Sequence, residues 1–222
     1  VADPQLVIFD LDGTLVDSFA DIERSIVCAL TAIDVEPTPA LLTLCRKGVS
    51  LEYSFGVATG CEPSEPASRA RLRTFVDTYR DNYFADEFAS TAYASVPATL
   101  AWLRDTHSHI RLAVATTKRT DMARVVVDRC GLSGLFDLVQ GSDGLPKKPD
   151  PALLRVVAGE LDVPMQAAMM LGDTDKDVLA AKAAGCTAVA VSYGGWTRDE
   201  MLTLDPDHLL DDLAELRALI AA

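Results

Sequence analysis

Short apolar runs, each closed by a polar residue or glycine, punctuate the chain at wide intervals. Leu6-Val7-Ile8-Phe9 ends in Asp10, Ala113-Val114-Ala115 ends at Thr116, and Ala168-Met169-Met170-Leu171 ends at Gly172-Asp173. A fourth run spans Thr187 to Val191. Each is too short for a helix and apolar without alternation, the pattern of a strand buried on both faces. Helical stretches follow. Asp121 to Cys130 is closed by Gly131, and Asp175 to Ala184 by Gly185. A helix to about Leu161 opens with Pro151 in its first turn and Asp150 as cap. Strand–helix–strand alternation predicts an α/β fold, a parallel sheet covered by helices on both faces.

The stretch 17–91 breaks that rhythm. Ile22, Ile26, Ala29, Leu30 and Ile33 recur at helical spacing, as do Leu72, Phe75, Val76, Tyr79 and Tyr83. A Pro/Ser/Glu-rich loop, Cys61 to Ser68, lies between them, and no strand candidate is present. The expected organisation is an α/β core made of 1–16 and 92–222, with 17–91 as a helical insert after the first strand. The aromatic stripe reads as core rather than binding surface.

Composition changes this picture little, and charge changes it more. The 222 residues are 49% hydrophobic and 24% charged, ordinary for a globular protein with a sizeable core. A net charge of −13 argues against a nucleic-acid partner, since a polyanion would meet a field of its own sign. One locally positive pocket can still take a small anion. Cys28, Cys45, Cys61, Cys130 and Cys186 are scattered and odd in number, which suggests reduced thiols and a cytoplasmic setting. His107, His109 and His208 lack partners at zinc-ligand spacing and are expected on solvated surface or at helix ends. No leader peptide and no membrane span are expected.

The chemistry gathers at the strand ends. Asp10-Leu11-Asp12-Gly13-Thr14 follows an apolar strand directly. In a continuing strand the two carboxylates would face opposite ways, but Gly13 lets the chain turn so that both converge at the tip. One carboxylate can attack phosphorus while the other donates a proton to the leaving oxygen and later activates water. An Asx-type turn with solvated carboxylates is the alternative reading of this motif alone. Thr116, Asp173 and the loop holding Lys148 occupy the same end of the sheet, where open α/β sheets bind ligands. Asp173, Asp10 and an oxygen of residue 12 make a hard oxygen site suited to Mg²⁺. Lys148 would offset the carboxylate and phosphate charge, and Thr116 with neighbouring amides would hold phosphate oxygens.

These residues resemble the haloacid dehalogenase superfamily, in particular its phosphoglycolate phosphatase-like branch with a helical cap. Phe9-Asp10-Leu11-Asp12-Gly13-Thr14-Leu15-Val16-Asp17-Ser18 resembles the first motif and Ala115-Thr116-Thr117-Lys118 the second, with Thr117 where asparagine is more usual in the branch. Lys148-Pro149-Asp150-Pro151 resembles the third, and Leu171-Gly172-Asp173-Thr174-Asp175-Lys176-Asp177 the fourth. The resemblance implies a Rossmann-like parallel sheet core with an inserted α-helical cap. It also implies Mg²⁺-dependent hydrolysis of a small phosphorylated metabolite, 2-phosphoglycolate-like or a sugar phosphate, through an aspartyl-phosphate on Asp10. Asp12 would be the general acid/base, and Asp10, Asp173 and the Asp12 carbonyl would hold Mg²⁺. Thr116, Thr117 and Lys148 would bind the phosphoryl group, and Asp177 would orient Lys148 or a metal-bound water. Lys147 is the rival for the lysine role. Asp175 reads as a helix-start residue, and Lys118 and Arg119 as a solvated helix start, with contact to substrate as the alternative.

Related chemistries on this fold are separable by residue. A dehalogenase lacks the second aspartate, and a phosphonatase has alanine where Asp12 stands, although Lys47 is a lone cap lysine of the kind it needs. A sugar phosphomutase is the stronger alternative, because Lys47-Gly48-Val49-Ser50 resembles its cap loop. It usually carries glutamate and arginine at the places held here by Gly172 and Leu51, so hydrolysis is favoured over transfer. Arg46 and Lys47 are the expected cap residues for a second anionic group on the substrate, with solvated helix-end charges as the alternative. A non-catalytic phosphate-binding protein would be expected to lack Asp10 or Asp12. The expected assembly is a monomer or homodimer.

Overall fold

The structure is a computed structural model that describes residues 4–84 and 87–220. The strands are β1 (Leu6–Phe9), β2 (Val16–Asp17), β3 (Thr91–Ala92), β4 (Arg111–Thr116), β5 (Leu138–Gly141), β6 (Ala168–Gly172), β7 (Thr187–Val191) and β8 (His208–Leu210). Among the described residues the main sheet is wholly parallel, in the order β5-β4-β1-β6-β7-β8. This is the α/β arrangement expected. β1, β4, β6 and β7 were legible as strands because neighbours on both sides and helices on both faces leave no polar position inside them.

Two strands of this sheet lie outside the expected set, and both are edges. In β5, Leu138, Val139 and Gln140 are only half-buried. β8 is three residues long and begins with His208. That histidine therefore sits in a half-buried edge strand, a correction to the expected surface or helix-end position. His107 does end a helix, Val96–Thr106, with its ring 4.7 Å from that of Trp102. One face of the sheet, with Leu6, Ile8, Ala113, Ala115, Met170, Ala188 and Ala190, packs on helices Ala152–Glu160 and Asp175–Ala184. The latter ends as expected in a left-handed Gly185. In the former, Pro151 stands just before the first helical residue, and the Asp150 carboxylate accepts from the Ala152 amide at 2.8 Å.

The chain divides into two compact units, Val1–Asp17 with Thr91–Ala222, and Ser18–Ser90. β2 and β3 pair antiparallel, Val16 with Ala92 and Asp17 with Thr91, a short ribbon that the reading of 17–91 as strand-free did not foresee. Two-residue strands carry too little periodicity to register as a pattern.

The second unit is helical: Phe19–Thr31, Pro39–Arg46, Leu51–Thr59 and Arg69–Tyr83. Thr38 and Ser50 cap the middle two through their side-chain oxygens. Phe75, Tyr79 and Tyr83 are buried, and Phe55 meets Phe75 edge-on at 5.9 Å, so the aromatic stripe is core. Asp21 ties the beginning of this unit to its end. Fully buried, it accepts from the amides of Ala89 and Ser90 and from the Ser90 hydroxyl, and pairs with Arg24 at 2.5 Å. Burial alone would raise its pKa, but these donors hold it below the ordinary aspartate value. Its contribution to stability is therefore present above pH of about 4 and is lost as the pH falls through the depressed folded-state value. Asp21→Ala should destabilise this unit by about 3 kcal/mol, because four donors lose their acceptor. Thermal melts of both proteins at pH 7 check this, and an unchanged midpoint would contradict it.

Candidate active site

The carboxyl ends of β1, β4 and β6 lie side by side, and their register sets the site. Phe9 pairs with Val114 on one flank and Leu171 on the other, which puts Asp10 beside Ala115 and Gly172. Thr116 and Asp173 each fall one residue further on. Gly13, at φ +83°, makes the turn after β1, and any side chain there would collide with the Asp173 carboxylate. Gly194 is constrained in the same way against Asp173 and the Gly13 carbonyl.

Lys148 connects the site. Its side chain is 2% exposed, and Nζ donates to Asp10 Oδ1 at 2.8 Å, to the Ala115 carbonyl at 3.0 Å and to Asp177 Oδ1 at 2.5 Å. Burial disfavours its charge, yet Asp10 and Asp177 outweigh burial and hold its pKa above the ordinary lysine value. Asp177 Oδ2 is engaged by the amide and hydroxyl of Thr174 at 3.1 and 2.8 Å, a reciprocal cap on helix Asp175–Ala184. Asp177 is thus fixed at a helix start with its other oxygen on Lys148. Asp175 is the first residue of that helix.

Asp173 is held at both oxygens. Thr14 Oγ1 donates to Oδ1 at 3.0 Å and the Gly195 amide to Oδ2 at 2.7 Å, while the Tyr193 hydroxyl donates to the Thr14 carbonyl at 2.9 Å. Sequence reasoning missed Thr14, Tyr193 and Gly195. The available signal was the Gly-Gly pair after the β7 strand, which permits close backbone approach.

Asp10, Asp173 and Asp177 form a buried cluster whose carboxylate oxygens lie within 4.8 Å of one another. Burial pushes Asp10 up to about 7, with Lys148 pulling it down and Asp177 pushing it further up. Burial also raises Asp173 well above its usual range, aided by Asp177 and Asp10. Lys148 contacts two of these acids, Asp10 and Asp177, while Asp173 is held by Thr14 and Gly195. The donor set, three carboxyl groups offering only oxygen, fits a hard divalent cation such as Mg²⁺, whose charge would favour their ionised forms.

Asp12 is not part of that cluster. Its Oδ2 is 3.2 Å from Nζ of Lys118, whose side chain is only 7% exposed. Lys118 is therefore not the solvated helix-start residue expected. Arg119 does have that character, exposed and paired with Asp121. Thr116 is buried at the end of β4, with its Oγ1 accepting from the Lys118 amide at 3.2 Å, and the Thr117 carbonyl accepts from Ser142 Oγ at 2.8 Å. Lys147, next to Lys148, is exposed. Within the helical unit, Arg46 ends helix Pro39–Arg46, pairs with Glu23 and lies 5.4 Å from the Phe19 ring centre, and Lys47 caps the same helix.

A parallel sheet with an aspartate pair after its first strand, a buried lysine bridging two acids and a third acid at a neighbouring strand end defines a class. The chain belongs to the haloacid dehalogenase-like hydrolase family, which matches residues 7–191. Within it, the chain is 33% identical to a phosphoglycolate phosphatase of Rhodospirillum rubrum, over 96% of this chain and 89% of that one. It is 33% identical to a phosphoglycolate phosphatase of Neisseria meningitidis, over 96% and 92%. The fold matches the crystal structure of a predicted phosphoglycolate phosphatase from Haemophilus somnus, with a TM-score of 0.82 at 27% identity over 99% of each chain. Among the described residues, no helix is long and apolar enough to cross a membrane.

Proposed function

We propose that the protein is a Mg²⁺-dependent phosphatase that hydrolyses a small phosphorylated metabolite, with 2-phosphoglycolate the first candidate, through an aspartyl-phosphate on Asp10. The observation that carries this reading is the buried Lys148 holding Asp10 Oδ1 at 2.8 Å. Fixed in this way, one oxygen of Asp10 is oriented while the other is left for phosphorus. The names of the relatives support the substrate class.

In the first half-reaction an Asp10 oxygen forms a bond to phosphorus as the ester P–O bond breaks. The departing alkoxide takes the proton of Asp12. In the second half a water molecule gives its proton to Asp12 and attacks the same phosphorus, breaking the Asp10–phosphorus link. Inorganic phosphate leaves and both aspartates are restored. Thr116, Thr117 and Lys148 hold the phosphoryl oxygens, and Asp177 keeps Lys148 in place. Mg²⁺ bound by Asp10, Asp173 and the Asp12 carbonyl would supply positive charge against the phosphoryl oxygens.

Hydrolysis is favoured over intramolecular transfer at Gly172. A side chain at this position would collide with Asp177, so the glutamate of the mutase pattern does not fit beside Asp177 as placed. The test is phosphate release from a panel of phosphate esters, with 2-phosphoglycolate and hexose phosphates included, with Mg²⁺ and with a chelator. Release that requires Mg²⁺ is expected. Conversion of a sugar 1-phosphate to its 6-phosphate without release would favour the mutase.

A further inference from the structure

Lys118 is a cation that the hydrolytic scheme leaves unused. The backbone that carries it is fixed by several hydrogen bonds. The Ser142 amide donates to the Lys118 carbonyl at 3.1 Å, and the Lys118 amide donates to Thr116 Oγ1 at 3.2 Å. The Thr120 hydroxyl accepts from the Gly141 amide at 2.8 Å, and the Thr120 amide donates to Asp143 at 2.8 Å. Gly141 has no room for a side chain against the backbone of 118–120, so this loop is seated tightly on the end of β5. From that seat the ammonium reaches inward to Asp12 Oδ2 at 3.2 Å. A lysine free to choose would extend into water, since its charge is costly to bury.

We infer that Lys118 is the residue that reads a carboxylate on the substrate, placed one carbon from the ester oxygen, and that it exchanges Asp12 for that carboxylate when substrate binds. This rests on the phosphatase reading, in which Asp12 serves the ester oxygen. An acid within hydrogen-bond reach of that oxygen puts Lys118 Nζ within roughly 6 Å of it. A carboxylate on the adjacent carbon has its oxygens roughly 3 Å from the ester oxygen by ordinary bond lengths, so one turned toward Lys118 comes within hydrogen-bond distance of Nζ. A longer spacer overshoots, and an uncharged substituent leaves Lys118 on Asp12. The exchange also releases Asp12 for the leaving oxygen only when the carboxylate is present. Discrimination of this kind comes from a largely buried ion pair that only a substrate with the matching charged group can replace.

Kinetics on three esters test this: 2-phosphoglycolate, ethyl phosphate, which lacks the carboxylate, and 3-phosphooxypropanoate, which moves it one methylene away. The wild-type protein should prefer 2-phosphoglycolate. In Lys118→Met the ratio of kcat/KM for 2-phosphoglycolate to that for ethyl phosphate should fall by about 10–100-fold, mainly through KM, the range for losing a charged hydrogen bond. Lys118→Arg keeps the charge and should retain most of the preference. A role confined to supporting Asp12 or the loop would lower both substrates equally and leave the ratio unchanged, which would overturn the inference. So would a wild-type protein that turns over other esters but not 2-phosphoglycolate, with the phosphatase reading intact. No Mg²⁺-dependent release from any ester would overturn both.

Discussion

Asp10→Asn should abolish phosphate release, lowering kcat by at least about 10⁴-fold on whichever ester the wild-type protein hydrolyses best. The substitution is nearly isosteric, so the sheet and the Lys148 contact at 2.8 Å have an acceptor in the same place. What it removes is charge and nucleophilicity. An amide is far less nucleophilic toward phosphorus than a carboxylate. It also takes one anion from the cluster with Asp173 and Asp177 and so weakens any cation held there. Steady-state phosphate release measured with Mg²⁺ in excess separates the two effects. Activity that returns at high Mg²⁺ would show that Asp10 serves only as a ligand.

Lys148→Ala should combine the second-largest loss of activity with the largest loss of stability. Three acceptors lose their donor at once: Asp10 Oδ1, Asp177 Oδ1 and the Ala115 carbonyl. Two of them are carboxylates in a buried site, and an uncompensated buried charge of this kind destabilises by about 3–5 kcal/mol. For a protein of this size the melting temperature should drop by about 10 °C. The lost ammonium also removes charge stabilisation of the phosphoryl group, with about 10²–10³-fold lower kcat expected. Calorimetry and phosphate release on the same preparation check both. A variant as stable as the wild type would mean that Asp10 and Asp177 do not depend on Lys148 for compensation.

Much of this site was legible in the sequence, for a reason that also explains the gaps. Asp10, Thr116 and Asp173 each stand immediately after an apolar run, and in a parallel sheet the ends of such runs must gather on one edge. Their proximity follows from topology alone. Lys148 and Asp177 were marked by the motifs around them, and their direct contact at 2.5 Å is the physical content of that resemblance. Lys118 was misjudged because it stands at the start of a polar, charged helix, where a lysine is ordinarily solvated. The loop that carries it is seated by Gly141, Ser142 and Asp143, more than 20 residues away, and its ammonium is drawn to Asp12, and the local pattern carries no trace of either. The supports of Asp173 were hidden likewise, since Thr14 and Gly195 meet only in the folded chain. The edge strands β5 and β8 escaped notice because a strand with one neighbour tolerates Gln140 and His208.

The central claim is that the phosphoryl group passes through an enzyme carboxylate rather than directly to water. The stereochemical course at phosphorus tests it most directly, using a phosphorothioate ester whose phosphorus carries sulfur and two different oxygen isotopes, hydrolysed in water labelled with the third isotope so that the released thiophosphate is chiral. Each in-line displacement inverts the phosphorus centre. Two displacements, first by Asp10 and then by water, predict net retention of configuration. Net inversion would mean a single attack by water, and would contradict the assignment of Asp10 as nucleophile.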